Sequence, residues 1–122
     1  MLSLRFATVP VQNQQRAFDW YVEKLSCTVV QDVPFGSNAR WIELAFPGAK
    51  SNIVLFTPPG YEERVGTFLG LSFTSDNIEA EYQEMMERGV HFVEPLAQAD
   101  WGGQQAIFED SEGNKLVLAS RE

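Results

Sequence analysis

The chain has 122 residues, 44% hydrophobic and 21% charged, with a formal net charge of −8. That is enough for one ordinary globular domain, and an acidic surface is repelled by phosphate backbones and anionic lipid, which excludes nucleic acid and membrane as expected partners. A single cysteine, Cys27, rules out an intrachain disulfide or a thiolate metal cluster; with no basic n-region, no apolar h-region and no long apolar run, the expectation is a soluble, cytoplasmic protein.

Residues 4–11 read as a strand, with Pro10 near its end where a lost N–H does least harm. Asn13 is placed to cap a helix whose apolar residues Phe18, Tyr21, Val22 and Leu25 fall at i, i+3, i+4 and i+7, one stripe reaching about Leu25. Residues 28–33 are β-branched and predict a strand ended by Pro34. Phe35 to Ala39 follow as a loop, and strands at 40–46 and 52–57 are joined by a five-residue turn. The Pro/Gly-rich, charged stretch 58–64 has no periodicity and is the natural linker.

Beyond it the order repeats. A strand at 67–75 leads to a helix capped by Asp76 or Asn77, with Glu79 offering a capping box after Asp76. Ile78, Tyr82, Met85 and Met86 make its core stripe, and Gly89 is a suitable terminator. A strand at 90–94, a loop at 95–100 and a hairpin of 104–108 with 115–119 complete the chain. The hairpin turns on Asp110-Ser-Glu-Gly-Asn114, where Gly113 can take positive φ and Asp110 can bond forward to backbone N–H groups. A shift of 64 residues places Asn13 on Asn77, Phe18 on Tyr82 and Val29 on Val93, with little identity between the halves. The fold class is therefore α+β. Two βαβββ modules, at about 2–57 and 67–120 around a linker at about 58–66, would form curved mixed sheets around a trough with the helices outside.

This order, with Val11-Gln-Asn, Ala17-Phe-Asp-Trp-Tyr21, Glu84-Met-Met-Glu-Arg-Gly-Val90 and Trp101-Gly through Phe108-Glu-Asp-Ser-Glu-Gly-Asn114, resembles the vicinal oxygen chelate superfamily. Glyoxalase I, extradiol dioxygenases and the fosfomycin- and bleomycin-resistance proteins belong to it. In its metal-dependent members, donors on the first and last strands of each module hold a divalent ion. Carried onto this chain, those positions are Phe6, Val54, Gly70 and Val117, none with a lone pair to give. A one-residue slip offers Arg5, Leu55, Leu71 or Leu118, which is no better. The resemblance is nearest to the metal-free, bleomycin-resistance-like members, and it implies no cofactor, no catalytic residue, a homodimer and a small aromatic or cationic ligand.

On that resemblance the ligand-binding candidates are Phe6, Trp41, Glu43, Val54, Phe56, Trp101 and Val117, with Leu4, Thr8 and Ala119 as further wall residues. Trp101, beside two glycines, would be a stacking platform or a cap on the sheet edge. Glu43 shares a strand face with Trp41 and would be a counter-charge or face solvent. Phe35 reads as loop packing, Met85 and Met86 as core, Cys27 as a small core residue, His91 as exposed or hydrogen-bonded. Glu109, Asp110 and Glu112 resemble a cation site, although their turn position accounts for them. The competing reading is a glyoxalase- or dioxygenase-like metalloenzyme using Glu43, Glu94 or Glu109 with His91. Two or more oxygen or nitrogen side chains converging on a common point inside the trough would overturn the reading of it as an apolar, metal-free basin.

Overall fold

A computed structural model describes residues 1–121 and divides the chain into two compact units, Met1–Val65 and a second beginning at Gly66. The first unit runs β1 (Phe6–Val9), α1 (Gln14–Leu25), β2 (Thr28–Phe35), β3 (Ala39–Ala45) and β4 (Asn52–Leu55). The second repeats that order as β5 (Phe68–Thr74), α2 (Ile78–Glu87), β6 (His91–Gln98), β7 (Gln104–Glu109) and β8 (Lys115–Ala119). Each unit is one four-stranded mixed sheet with one helix, ordered β1-β4-β3-β2 and β5-β8-β7-β6. In both, the first strand lies parallel beside the last, while the other neighbours are antiparallel.

Both helices start on the asparagines that the 64-residue shift superposes. Asn13 Oδ1 accepts from the Arg16 N–H at 2.9 Å and Asn77 Oδ1 from the Ala80 N–H at 3.1 Å, which satisfies donors that a helix start leaves without partners. The Asp76–Glu79 capping box does not form, because Asn77 occupies the cap position. Of the expected α1 stripe Tyr21 is buried and Phe18, Val22 and Leu25 are half-buried, while Ala17, outside it, is buried as well. In α2 the stripe buries Ile78 and Met85, whereas Met86, expected in the core, is 46% exposed on the stripe's edge.

Because strand side chains alternate, register decides which face each residue takes. In the first sheet, Val9, Ile42, Leu44, Ile53 and Leu55 share one buried face, with Tyr21 and Ala17 of α1 completing the core. Gln14 of that helix donates to the carbonyls of Arg40 and Leu55 at 2.7 and 2.8 Å, pinning α1 across β3 and β4. In the second sheet, Phe108 contacts both Phe73 and Phe92, and Tyr82 of α2 lies 4.5 Å from Phe92. Full burial of a ring such as Phe108 is worth about 2–3 kcal/mol, so these rings dominate the second core.

Two strands run further than their prolines suggest. β2 continues through Pro34 to Phe35, and β6 through Pro95 to Gln98. Both are sheet edges, where a missing N–H breaks no ladder, and β6 carries register shifts on either side of Glu94. The linker is also partly ordered, since Glu62–Arg64 form a short 3-10 turn.

The β7–β8 turn is a closed polar cluster. Asp110 Oδ1 accepts from the N–H groups of Glu112 and Asn114 at 2.8 and 3.0 Å, and its Oδ2 accepts from Asn114 Nδ2. Asn114, fully buried, then accepts the Gly66 N–H at 2.8 Å, while Lys115 Nζ donates to the carbonyls of Gly66 and Gly113. Gly113 sits at φ +80°, a conformation that a side chain would strain. The turn is thereby fastened to the lead-in of β5.

Candidate functional site: an aromatic sheet face

The face of the first sheet turned away from α1 carries Phe6 and Thr8 of β1 and Gln31, Val33 and Phe35 of β2. It also carries Trp41 and Glu43 of β3, and Asn52 and Val54 of β4 with Phe56 just beyond. Here Phe6, Trp41, Phe56 and Phe35 form a continuous ring cluster with centroids 5.1 to 5.8 Å apart. Phe6 meets Trp41 edge-on and Phe35 meets Phe56 nearly perpendicular, the geometry that ring quadrupoles favour. Phe35 is thus a member of the cluster rather than a loop residue. The Pro34-Phe35-Gly36 sequence conceals this, because only the β2–β3 register, with Phe35 opposite Ala39, places it on this face.

Among the rings lies a polar group. Glu43, 2% exposed, accepts from Arg5 Nη2 on Oε1 at 3.3 Å and from Asn52 Nδ2 on Oε2 at 2.8 Å. Arg5 also stands over Phe6, 5.4 Å from the ring centroid. Glu43 is therefore not a solvent-facing carboxylate, and polar side chains do converge on this face. Their make-up does not suit a metal: one carboxylate and one amide are bound to each other, and the third member is a guanidinium, which repels cations and cannot ligate.

Phe6 and Val54, expected from the resemblance at the ligand positions of metal-dependent members, are both on this face, Phe6 beside Asn52 and Val54 between Thr8 and Glu43. The slipped alternative Leu55 belongs to the buried helix side of the sheet. Leu4 precedes β1, exposed, its carbonyl accepting from Ser51 Oγ.

In the second unit the face away from α2 carries Val117 between Ser72 and Ile107, and Ala119 between Thr74 and Gln105. Gly70 falls in the irregular part of the β5–β8 register, and Leu118 lies on the buried side. Trp101 occupies the turn between β6 and β7, 52% exposed, with Nε1 donating to Gln105 Oε1 at 3.1 Å. His91 and Glu109 approach to 3.8 Å, but Glu109 is also held by Lys115 at 3.3 Å. Among the described residues no group of three or more His, Cys, Asp or Glu side chains is placed to hold a metal ion. Cys27 is buried, and burial pushes its thiol up to about 12, so it carries no nucleophilic thiolate at neutral pH.

Residues 3–118 match the profile of the Glyoxalase/Bleomycin resistance protein/Dioxygenase superfamily, and the chain belongs to that family. A superfamily member from Sphaerobacter thermophilus DSM 20745 has a crystal structure that superposes with a TM-score of 0.87, at 31% identity over 99% of this chain and 98% of that one. TnmS3, an antibiotic binding protein from Streptomyces sp. CB03234, superposes with a TM-score of 0.85 at 31% identity, over 100% and 98% of the two chains. YetH of Bacillus subtilis (strain 168) is 29% identical over 110 residues, covering 90% of this chain and 91% of its own length. No helix among the described residues is long and apolar enough to cross a membrane.

Proposed function

We propose that the chain is a non-catalytic binding protein that sequesters a small, flat aromatic or cationic compound of antibiotic type, acting as a cytoplasmic homodimer. The four-ring cluster of Phe6, Phe35, Trp41 and Phe56 carries this reading. Such a surface offers stacking area, and its carboxylate, Glu43, has both oxygens engaged by Arg5 and Asn52. Sequestration asks only for affinity and enough protein, and likeness to a protein described as antibiotic binding supports the same use of the fold. Phe6, Trp41, Glu43, Val54 and Phe56 would form the wall of the site in the first unit, and Trp101 and Val117 are separate ligand-binding candidates of the second unit. Stacking a drug-sized aromatic on such a wall is worth about −8 to −10 kcal/mol, a dissociation constant of roughly 0.05 to 1 µM.

The test is a tryptophan-fluorescence and thermal-shift titration with a panel of aromatic and cationic antibiotics, alongside Zn, Ni, Mn and Fe(II). A saturable aromatic ligand whose effect is lost in Trp41→Ala supports the proposal. A stoichiometric metal retained through dialysis, or a panel with no response, defeats it. Light scattering of the purified protein checks the dimer.

A further inference from the structure

We infer that the aromatic face selects flat aromatic ligands bearing an acidic oxygen, a carboxylate or phenolate, and that Arg5 is the residue that selects them. This rests on the proposed binding role of that face, keeping its aromatic ligand and setting the cationic one aside.

A site for cations needs an available negative charge against the rings. The one carboxylate in this cluster is Glu43, and both of its oxygens are engaged, one by Arg5 and one by Asn52. It is also almost wholly buried. An incoming cation would have to displace a guanidinium tethered to the same sheet, whose effective concentration exceeds that of any free ligand. Arg5 presents the opposite picture. Only Nη2 reaches Glu43, while the side chain is 74% exposed at the rim of the cluster, its guanidinium over Phe6. A guanidinium has five donors in a planar fork that matches a carboxylate two bonds at a time. A ring stacked on Trp41 and Phe6 with an acidic oxygen at its edge would meet that fork directly. The chain's overall charge of −8 opposes anions only through a field that physiological salt screens beyond about 8 Å, whereas Arg5 would act in contact.

Three matched probes decide the matter: anthracene-2-carboxylate, 2-(hydroxymethyl)anthracene and 2-(aminomethyl)anthracene, titrated at neutral pH in 150 mM NaCl and read by fluorescence. The carboxylate is expected to bind at least tenfold tighter than the ammonium, with the alcohol between. Arg5→Gln abolishes the ranking, Arg5→Lys restores part of it, and Glu43→Gln tightens the carboxylate severalfold by freeing the guanidinium. Trp41→Ala weakens all three alike, and thermal melts confirm that each variant is folded. Equal binding of all three probes overturns the inference and leaves the binding role standing. Preference for the ammonium overturns it in favour of Glu43 as the recognising charge. Binding of none overturns the binding role as well.

Discussion

The six-membered ring of Trp101 lies so closely over Gly103 that a Cβ built on the glycine would overlap its Cζ3 and Cη2 atoms. Gly103 is itself buried, and the indole is oriented from its other side by the bond from Nε1 to Gln105. The glycine thus sets where an exposed aromatic ring can rest.

Gly103→Ala should therefore expel the indole from this seat and cost about 1–3 kcal/mol through steric conflict. Tryptophan emission should shift to the red, and chemical denaturation should show the loss. In the Trp101→Ala background the added cost should shrink, leaving the smaller conflict with the Ser120 hydroxyl. Equal costs in both backgrounds would show that the ring is not what excludes the methyl group.

Asn52 and Arg5 hold the same carboxylate with unequal consequence. Asn52→Ala takes a 2.8 Å bond from buried Glu43 and should cost about 1.5–3 kcal/mol, as loss of a partner to a buried charged group does. Arg5→Met removes a longer contact made by a mostly solvated side chain and should cost no more than about 1 kcal/mol. Urea unfolding of the two variants gives the order; the reverse order would place most of the stabilisation in the ion pair.

Asn114→Ala would strip the buried Asp110 carboxylate of one partner and the half-buried Gly66 amide, ahead of β5, of another. A loss of about 1–3 kcal/mol follows from removing one hydrogen bond from a buried carboxylate and one from a half-buried amide. Amide exchange should report it locally: Gly66 and Glu112 should lose protection earlier than the amides of β7.

The carboxyl of Asp32 is held below the usual aspartate range by its hydrogen bonds and charge interaction with Arg40, Oδ2 lying 2.7 Å from Nη2. A depressed carboxyl in the folded state stabilises above the unfolded value near 3.8, and that contribution disappears as pH falls through the folded value. Asp32→Asn should cost about 0.5–1 kcal/mol at pH 7, as partly exposed pairs do, and nothing near pH 2. Melting temperatures of both proteins across pH 2–7 should converge at the acid end.

The helices were legible because their signals are local. An apolar stripe and an asparagine cap lie within a few residues of each other, and Asn13 and Asn77 do cap. The Asp110–Asn114 turn was legible for the same reason. What escaped depends on neighbours distant in sequence. Pro34 and Pro95 end strands only if those strands are interior, and their edge positions follow from the sheet order alone. Met86 sits at a permissible stripe position yet is 46% exposed, because which side of the stripe meets the sheet is set by how α2 packs and not by its spacing. Phe35 joins Trp41 and Phe56 through hairpin register, and Arg5 reaches Glu43 across 38 positions of chain. No periodicity encodes a contact of that separation.

The parallel partnership of β1 with β4 has a consequence for assembly. Phe6 finds its place opposite Asn52 only once β4 is available, so β1, the first strand of its unit in chain order, docks late. In the same interval the ring of Phe6 is not held against Trp41, since β4 is the strand that joins β1 to β3. Until residues 52–55 are free to pair, that ring stays open to whatever else is in solution.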